Sequence, residues 1–328
     1  MKKFKKWLAY IVVSVLVIVI AGVCYVSFAL PDVGKPQDIK VALTPARIEH
    51  GKYLANHVTV CMDCHSTRDW TKFAGPIDTT KLGIGGDLFD ANAGFPGRVY
   101  VPNITPYNLK NWTDGEIFRA ITCGVKKDGS AIFPIMPWQS YRHMDKEDIY
   151  DIIAYIRTLK PQQSSYPTRK LDFPLNFIVN TMPETAALST KPAESDQLKY
   201  GAYLVQSSAC RECHTPVKNG TPIPGLELAG GREFQIGKAR IRSANITPDM
   251  TTGIGSWTEA QFVNRFRHFA DGGVSAPSVK EGEFQTIMPW WKYGGMKESD
   301  LKAIYAYLRT VKPVKHGVVK FEQLASIK

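Results

Sequence analysis

The sequence predicts an all-α chain: one N-terminal membrane-crossing helix, then two copies of a helical unit. Three observations predict it. An uncharged stretch runs from Trp7 to Pro31 behind Lys2, Lys3, Lys5 and Lys6, the remainder of the chain is duplicated, and each copy ends on a matched apolar stripe.

The uncharged stretch is 25 residues long. About 20 apolar residues cross a bilayer, and the core of a cleaved signal peptide is shorter than this stretch. Lysines before it and none directly after it predict an anchor with its N-terminus inside and the rest outside. The alternative is cleavage after Ala29, because Ser27-Phe28-Ala29 has the small-x-small form of a processing site. Cys24 reads as an ordinary apolar residue of the anchor.

The duplication is read from recurring words in one order. Gly51-Lys52-Tyr53-Leu54 returns as Gly201-Ala202-Tyr203-Leu204, and Asn103-Ile104-Thr105-Pro106 returns as Asn245-Ile246-Thr247-Pro248. Trp112-Thr113 returns as Trp257-Thr258, and Met136-Pro137-Trp138 as Met288-Pro289-Trp290. Small drifts in spacing mark loop insertions. In the last helix of the first copy, Ile149, Ile152, Ile153, Ile156 and Leu159 fall on one face. Leu301, Ile304, Tyr305, Leu308 and Val311 repeat that stripe. Pro161 and Pro313 are expected to stop these helices. Ala46–Leu54 and Leu198–Leu204 read as the first helix of each copy, and Thr113 and Thr258 open capping boxes. The connector contains the apolar run Leu171–Val179, so it is expected to lie along one or both copies; a short helix packed on the first copy alone is the alternative.

Each copy holds one Cys-x-x-Cys-His run, Cys61-Met62-Asp63-Cys64-His65 and Cys210-Arg211-Glu212-Cys213-His214. This is the attachment signature of c-type haem. Two thiols one helical turn apart face the same way and add to the vinyl groups, and the next residue carries its imidazole under the iron. A zinc site would need two further ligands near each pair, and only Cys24 and Cys123 remain as thiols. A thioredoxin-like pair belongs in an alternating α/β chain, a pattern this sequence lacks. Two covalently bound haem c groups are therefore expected.

These residues resemble membrane-anchored dihaem cytochromes c, with two class I-like cytochrome c domains. They are similar to the cytochrome subunits of bacterial membrane-bound dehydrogenases, where Asn-Ile-Thr-Pro and Met-Pro words also recur. The resemblance implies seven segments: residues 1–6 a cytoplasmic N-terminus, 7–30 a transmembrane anchor, 31–43 a linker and 44–162 the first cytochrome c domain. Residues 163–196 are then the connector, 197–316 the second domain and 317–328 a C-terminal tail. It also implies a crossing of the first and last helices in each domain, Gly51 and Tyr53 against Tyr155, and Gly201 and Tyr203 against Tyr307.

The resemblance further implies His65 and His214 as proximal iron ligands, and a distal Met from a loop ahead of each last helix. Met136 and Met288 stand there. Met144 and Met296 are also repeat-equivalent, but directly before a helix their ordinary role is a hydrophobic staple. Cys123 is a further ligand candidate, and a small buried thiol is its bland reading. His268 occupies a similar position in the second copy and reads as surface or haem edge; His57 and His143 have no equivalent.

The formal charge is +11, of which four belong to the N-terminal lysines. Haem propionates would offset part of the rest, and no basic stripe with stacking aromatics supports nucleic-acid binding. The expected function is transfer of single electrons between a donor dehydrogenase and a respiratory acceptor such as an oxidase. The haem domains would stand on the periplasmic side of the bacterial cytoplasmic membrane. No catalytic residue is expected. The alternative is a haem enzyme, thiosulfate dehydrogenase-like or peroxidase-like, with one haem lacking a Met ligand.

Overall fold

A computed structural model describes residues 2–270, 275–280 and 282–324. The N-terminal helix α1 (Lys2–Cys24) continues through a wide π turn, Tyr25–Ala29, and no residue of it is buried. Its 28 residues would span about 42 Å at 1.5 Å per residue. By length and composition it meets the requirement of a bilayer span, a test that a signal sequence also passes.

The first copy contains α2 (Pro45–Tyr53), α3 (Cys61–Cys64), α4 (Pro106–Leu109), α5 (Asp114–Cys123), α6 (Trp138–Tyr141) and α7 (Lys146–Thr158). A short α8 (Leu175–Ile178) lies in the connector. The second copy contains α9 (Gln197–Ser207), α10 (Cys210–His214), α11 (Glu259–Arg267), α12 (Trp290–Tyr293) and α13 (Glu298–Leu308). Helices make the scaffold, as expected, yet the chain is not purely helical among the described residues. The loops carry eight short antiparallel strands. They are β1 (Leu88–Phe89), β2 (Gly97–Tyr100), β3 (Lys170–Leu171), β4 (Val217–Lys218), β5 (Thr221–Pro222), β6 (Glu233–Ile236), β7 (Ala239–Arg242) and β8 (Phe321–Gln323). Their sheets run β1-β2-β3, β4-β5 and β6-β7-β8. Two-residue strands leave almost no alternating pattern in a sequence, which is why the periodicity did not reveal them.

Both capping boxes form. The Thr113 side chain accepts from the Glu116 amide while Glu116 accepts from the Thr113 amide, and Thr258 and Gln261 repeat the exchange. The stripe of α7 is buried along its whole length, as are Leu301, Ile304 and Leu308 of α13. Helix α13 ends at Leu308, short of Pro313.

In each copy the first and last helices cross at a glycine. A Cβ on Gly51 would stand 1.7 Å from the Asp151 carbonyl oxygen, and one on Gly201 would stand 2.0 Å from that of Ala303. The partners implied for this crossing need correction. Gly51 comes nearest to the backbone of Asp151 and Ile152, and Tyr53 leaves its own copy to bond Asp300. Two helical positions are about 200° apart around the axis, so Gly51 and Tyr53 cannot serve one contact. Gly201 does face Tyr307, whereas Tyr203 bonds Asp148 of the first copy.

The copies therefore meet through reciprocal bonds. Tyr53 Oη donates to Asp300 Oδ2 at 2.6 Å and Tyr203 Oη donates to Asp148 Oδ2 at 2.6 Å. Each phenol also accepts a backbone amide, from Lys297 at 3.0 Å and Asp145 at 3.1 Å. The two bonds join equivalent positions in opposite order, the mark of a two-fold, isologous contact. Around them one continuous apolar core runs through both copies.

The connector lies along the first copy. Its β3 extends the β1-β2 sheet, Arg142 donates to the Thr185 carbonyl, and Lys191 Nζ donates to Asp148 Oδ1 at 2.7 Å. It also reaches the foot of α1, where Asn180 Nδ2 donates to the Val26 carbonyl at 3.3 Å.

Candidate haem sites

Each Cys-x-x-Cys-His run folds as one helical turn entered through a left-handed residue, Val60 with φ 45° and Ala209 with φ 51°. That kink turns the chain sharply out of the preceding helix. Cys61, Cys64 and Cys210 are half-buried and Cys213 is exposed. All four thiols nevertheless sit deep enough in protein that burial raises them above an ordinary thiol, Cys64 and Cys210 to about 12. A reactive redox pair needs a lowered thiol pKa, and these are raised.

The imidazoles are held alike. His65 Nδ1 lies 2.8 Å from the Pro102 carbonyl oxygen, and His214 Nδ1 lies 2.7 Å from that of Ala244. A carbonyl can only accept, so the proton sits on Nδ1 and Nε2 keeps its lone pair. Burial lowers the pKa of both rings, outweighing the carbonyl contact that raises it. Neutral imidazole with Nδ1 spent on a carbonyl is the form that binds metal, and the carbonyl also fixes the ring plane. Two paired thiols and this imidazole fit a covalently attached haem.

The carbonyls come from the residue before each Asn-Ile-Thr-Pro word, which gives the repeated word its purpose. Asn103 Oδ1 accepts from the Thr105 amide at 2.8 Å, and its Nδ2 donates to the Gln162 carbonyl at 2.7 Å. Asn245 repeats this with Thr247 at 2.9 Å and the Val314 carbonyl at 2.8 Å. The loop is thus pinned to the chain that leaves the last helix. Gly85 and Gly230 close the site by donating their amides to the His65 and His214 carbonyls at 2.8 and 2.7 Å. Both have positive φ, and a Cβ on either would stand 2.4 Å from the carbonyl-bearing loop. Sequence reasoning missed these glycines, although the recurring pairs Gly85-Gly86 and Gly230-Gly231 were the available signal.

Met136 and Met288 are partly buried against the core, each just ahead of a short helix. Those helices are tied to the haem-motif entrances, since Tyr141 Oη donates to the Thr59 carbonyl and Tyr293 Oη to the Ser208 carbonyl, each at 2.7 Å. No sequence signal had assigned these tyrosines. Met144 and Met296 are completely enclosed in the same core as Ile149 and Leu301, four positions into the helices they precede. Cys123 is buried at the end of α5 beside a cavity of about 170 Å³ that Val33, Phe118 and Ala186 also line. His268 is exposed at the end of α11. His57 Nδ1 lies 2.7 Å from the Lys292 carbonyl across the two copies, and His143 Nδ1 lies 3.2 Å from that of Ala187.

The two attachment turns face the seam between the copies. Ser140 Oγ donates to Glu212 Oε1 at 3.0 Å, joining the Met-Pro-Trp helix of the first copy to the second haem motif. Asp63 is its counterpart in the first motif. It is buried, pairs with Arg68 at 2.8 Å, and has its carboxyl raised because burial outweighs Arg68 and Lys292.

Comparison with known proteins finds relatives named as cytochrome c proteins. The fructose dehydrogenase cytochrome subunit of Gluconobacter japonicus is 30% identical over 279 residues, 80% of this chain and 52% of the relative. The alcohol dehydrogenase (quinone) cytochrome c subunit of Gluconacetobacter polyoxogenes is 28% identical over 284 residues, 82% of this chain and 57% of the relative. A diheme cytochrome c-type protein of Cereibacter sphaeroides is 28% identical over 266 residues, 76% of this chain and 81% of that one. The chain is thus similar to cytochrome c subunits of dehydrogenases and to a diheme cytochrome c. It spans about half the length of the dehydrogenase subunits it matches. No family model matches it. Those relatives are named as cytochromes c, which supports haem c as the group that these residues would hold.

Proposed function

We propose that this chain is a dihaem cytochrome c, anchored in the bacterial cytoplasmic membrane, that passes single electrons from a dehydrogenase to a respiratory acceptor. In this reading residues 44–162 and 197–316 are two tandem cytochrome c domains on the periplasmic side of the anchor. The observation that carries it is the identical build around both histidines, with Nδ1 on a carbonyl and Nε2 free to ligate.

Bound haem supplies a one-electron couple at its iron. Cys61 and Cys64, and Cys210 and Cys213, would hold it as thioethers. His65 and His214 would ligate its iron through Nε2, and Met136 and Met288 through sulfur. Ligation by both protein groups would suit electron transfer rather than substrate binding. The enzymatic alternative requires unlike distal sides, yet both copies carry Met-Pro-Trp. The named dehydrogenase subunits among the relatives support a dehydrogenase as electron donor.

The deciding experiment is optical and covalent together. Purified protein should retain haem after denaturation at a stoichiometry of two. Met136→Ala and Met288→Ala should each open one iron to carbon monoxide and remove half of the long-wavelength methionine–ferric band. Retention of the whole band in either variant would exclude that Met as a ligand, and a single haem per chain would exclude the dihaem reading.

A further inference from the structure

The connector presents two opposite apolar sides. On its inner side Leu171 and Val179 are buried with Ala131, and Phe95, Phe133, Leu175 and Met182 pack around them. Its outer side carries Phe173, 81% exposed, and Ile178, 42% exposed. A segment fixed by a core of its own holds these side chains out on a rigid base.

Their position is set by the foot of α1. Helix α8 and the turn after it touch the π turn Tyr25–Ala29, and Asn180 bonds the Val26 carbonyl. Phe28, 88% exposed, belongs to that same turn. The exposed apolar residues of the π turn and of the connector are therefore carried by elements in contact. Arg98 and Lys170, exposed cross-strand partners in β2 and β3, share a sheet face beside it. Between Lys170 and Met182 the carboxylate is Asp172, which is exposed.

We infer that Phe173 and Ile178 dip into the outer phospholipid leaflet beside the anchor and, with Phe28, fix how the haem-bearing body stands on the membrane. The inference rests on the reading of Lys2–Ala29 as a retained span. An apolar face set at the headgroup boundary, flanked by basic residues, is the chemistry of interfacial membrane contact. A lone helix would leave the body free to tilt about its foot, and a second contact removes that freedom.

Full-length haem-loaded protein in phosphatidylethanolamine–phosphatidylglycerol nanodiscs, with a phospholipid carrying a diazirine near its headgroup, tests this. After illumination and trypsin digestion, label should appear in the peptide that begins at Leu171 as well as in the anchor peptide. The double variant Phe173→Ser with Ile178→Ser should lose most of the label in the first peptide and none in the second, while Phe173→Trp should keep both. Label in the anchor alone would overturn the inference and leave the span intact, assigning the exposed side to a protein partner instead. Label in neither peptide would overturn the span itself, and the inference with it.

Discussion

Tyr203 of the second copy donates its hydroxyl to Asp148 of the first at 2.6 Å, and Tyr53 returns the same bond to Asp300. Burial and the neighbouring carboxylate both push the Tyr203 phenol up, so it remains a donor at any physiological pH. The pair fixes one copy on the other through charge-assisted bonds.

Tyr203→Phe should destabilise the protein by about 1–3 kcal/mol, the range for a hydrogen bond to a charged partner. A double-mutant cycle with Asp148→Asn, read by denaturant unfolding, should show a coupling energy of the same order. Additive effects would mean that the bond contributes nothing. Tyr53→Phe with Asp300→Asn should give a similar result, because the contact is two-fold.

Gly201→Ala should cost about 1–3 kcal/mol through overpacking, since its new methyl would meet the Ala303 carbonyl. Gly317→Ala, where a Cβ meets nothing within 4 Å, is the control. Equal melting temperatures for the two variants would contradict the close crossing of α9 and α13.

Asp249 gives a pH signature. Its carboxylate accepts from the Thr252 and Thr251 hydroxyls and amides, bonds that lower it from 3.8 to about 2. A lowered folded pKa stabilises above the unfolded value and is lost as pH falls through the folded one. Asp249→Ala should therefore lower the melting temperature at neutral pH, and the gap to the parent should close between about pH 4 and pH 2. A gap unchanged across that window would show that the turn does not hold the Asn245 loop through charge.

Much of the site was legible because it is local. Cys-x-x-Cys-His is set by the pitch of one helical turn, the capping boxes by three-residue spacing, and the α7 stripe by the helical period. The purpose of Asn-Ile-Thr-Pro was not legible, because its role is a backbone carbonyl delivered to a histidine 37 residues away, and carbonyls carry no side-chain identity. The recurring pairs Gly85-Gly86 and Gly230-Gly231 were visible, but their amide bonds to the His65 and His214 carbonyls were not.

By itself the sequence determined the two Cys-x-x-Cys-His turns, the duplicated words, the helices and the apolar leading segment, since each depends on residues close together in the chain. Only the tertiary structure decided that Tyr53 and Tyr203 reach across to the opposite copy. It also decided that strands from the connector and the tail complete the two larger sheets, and that α8 touches the π turn at the foot of α1. Those outcomes depend on how packed surfaces meet. Helix pitch says which way a side chain points, but not what the rest of the chain brings to face it.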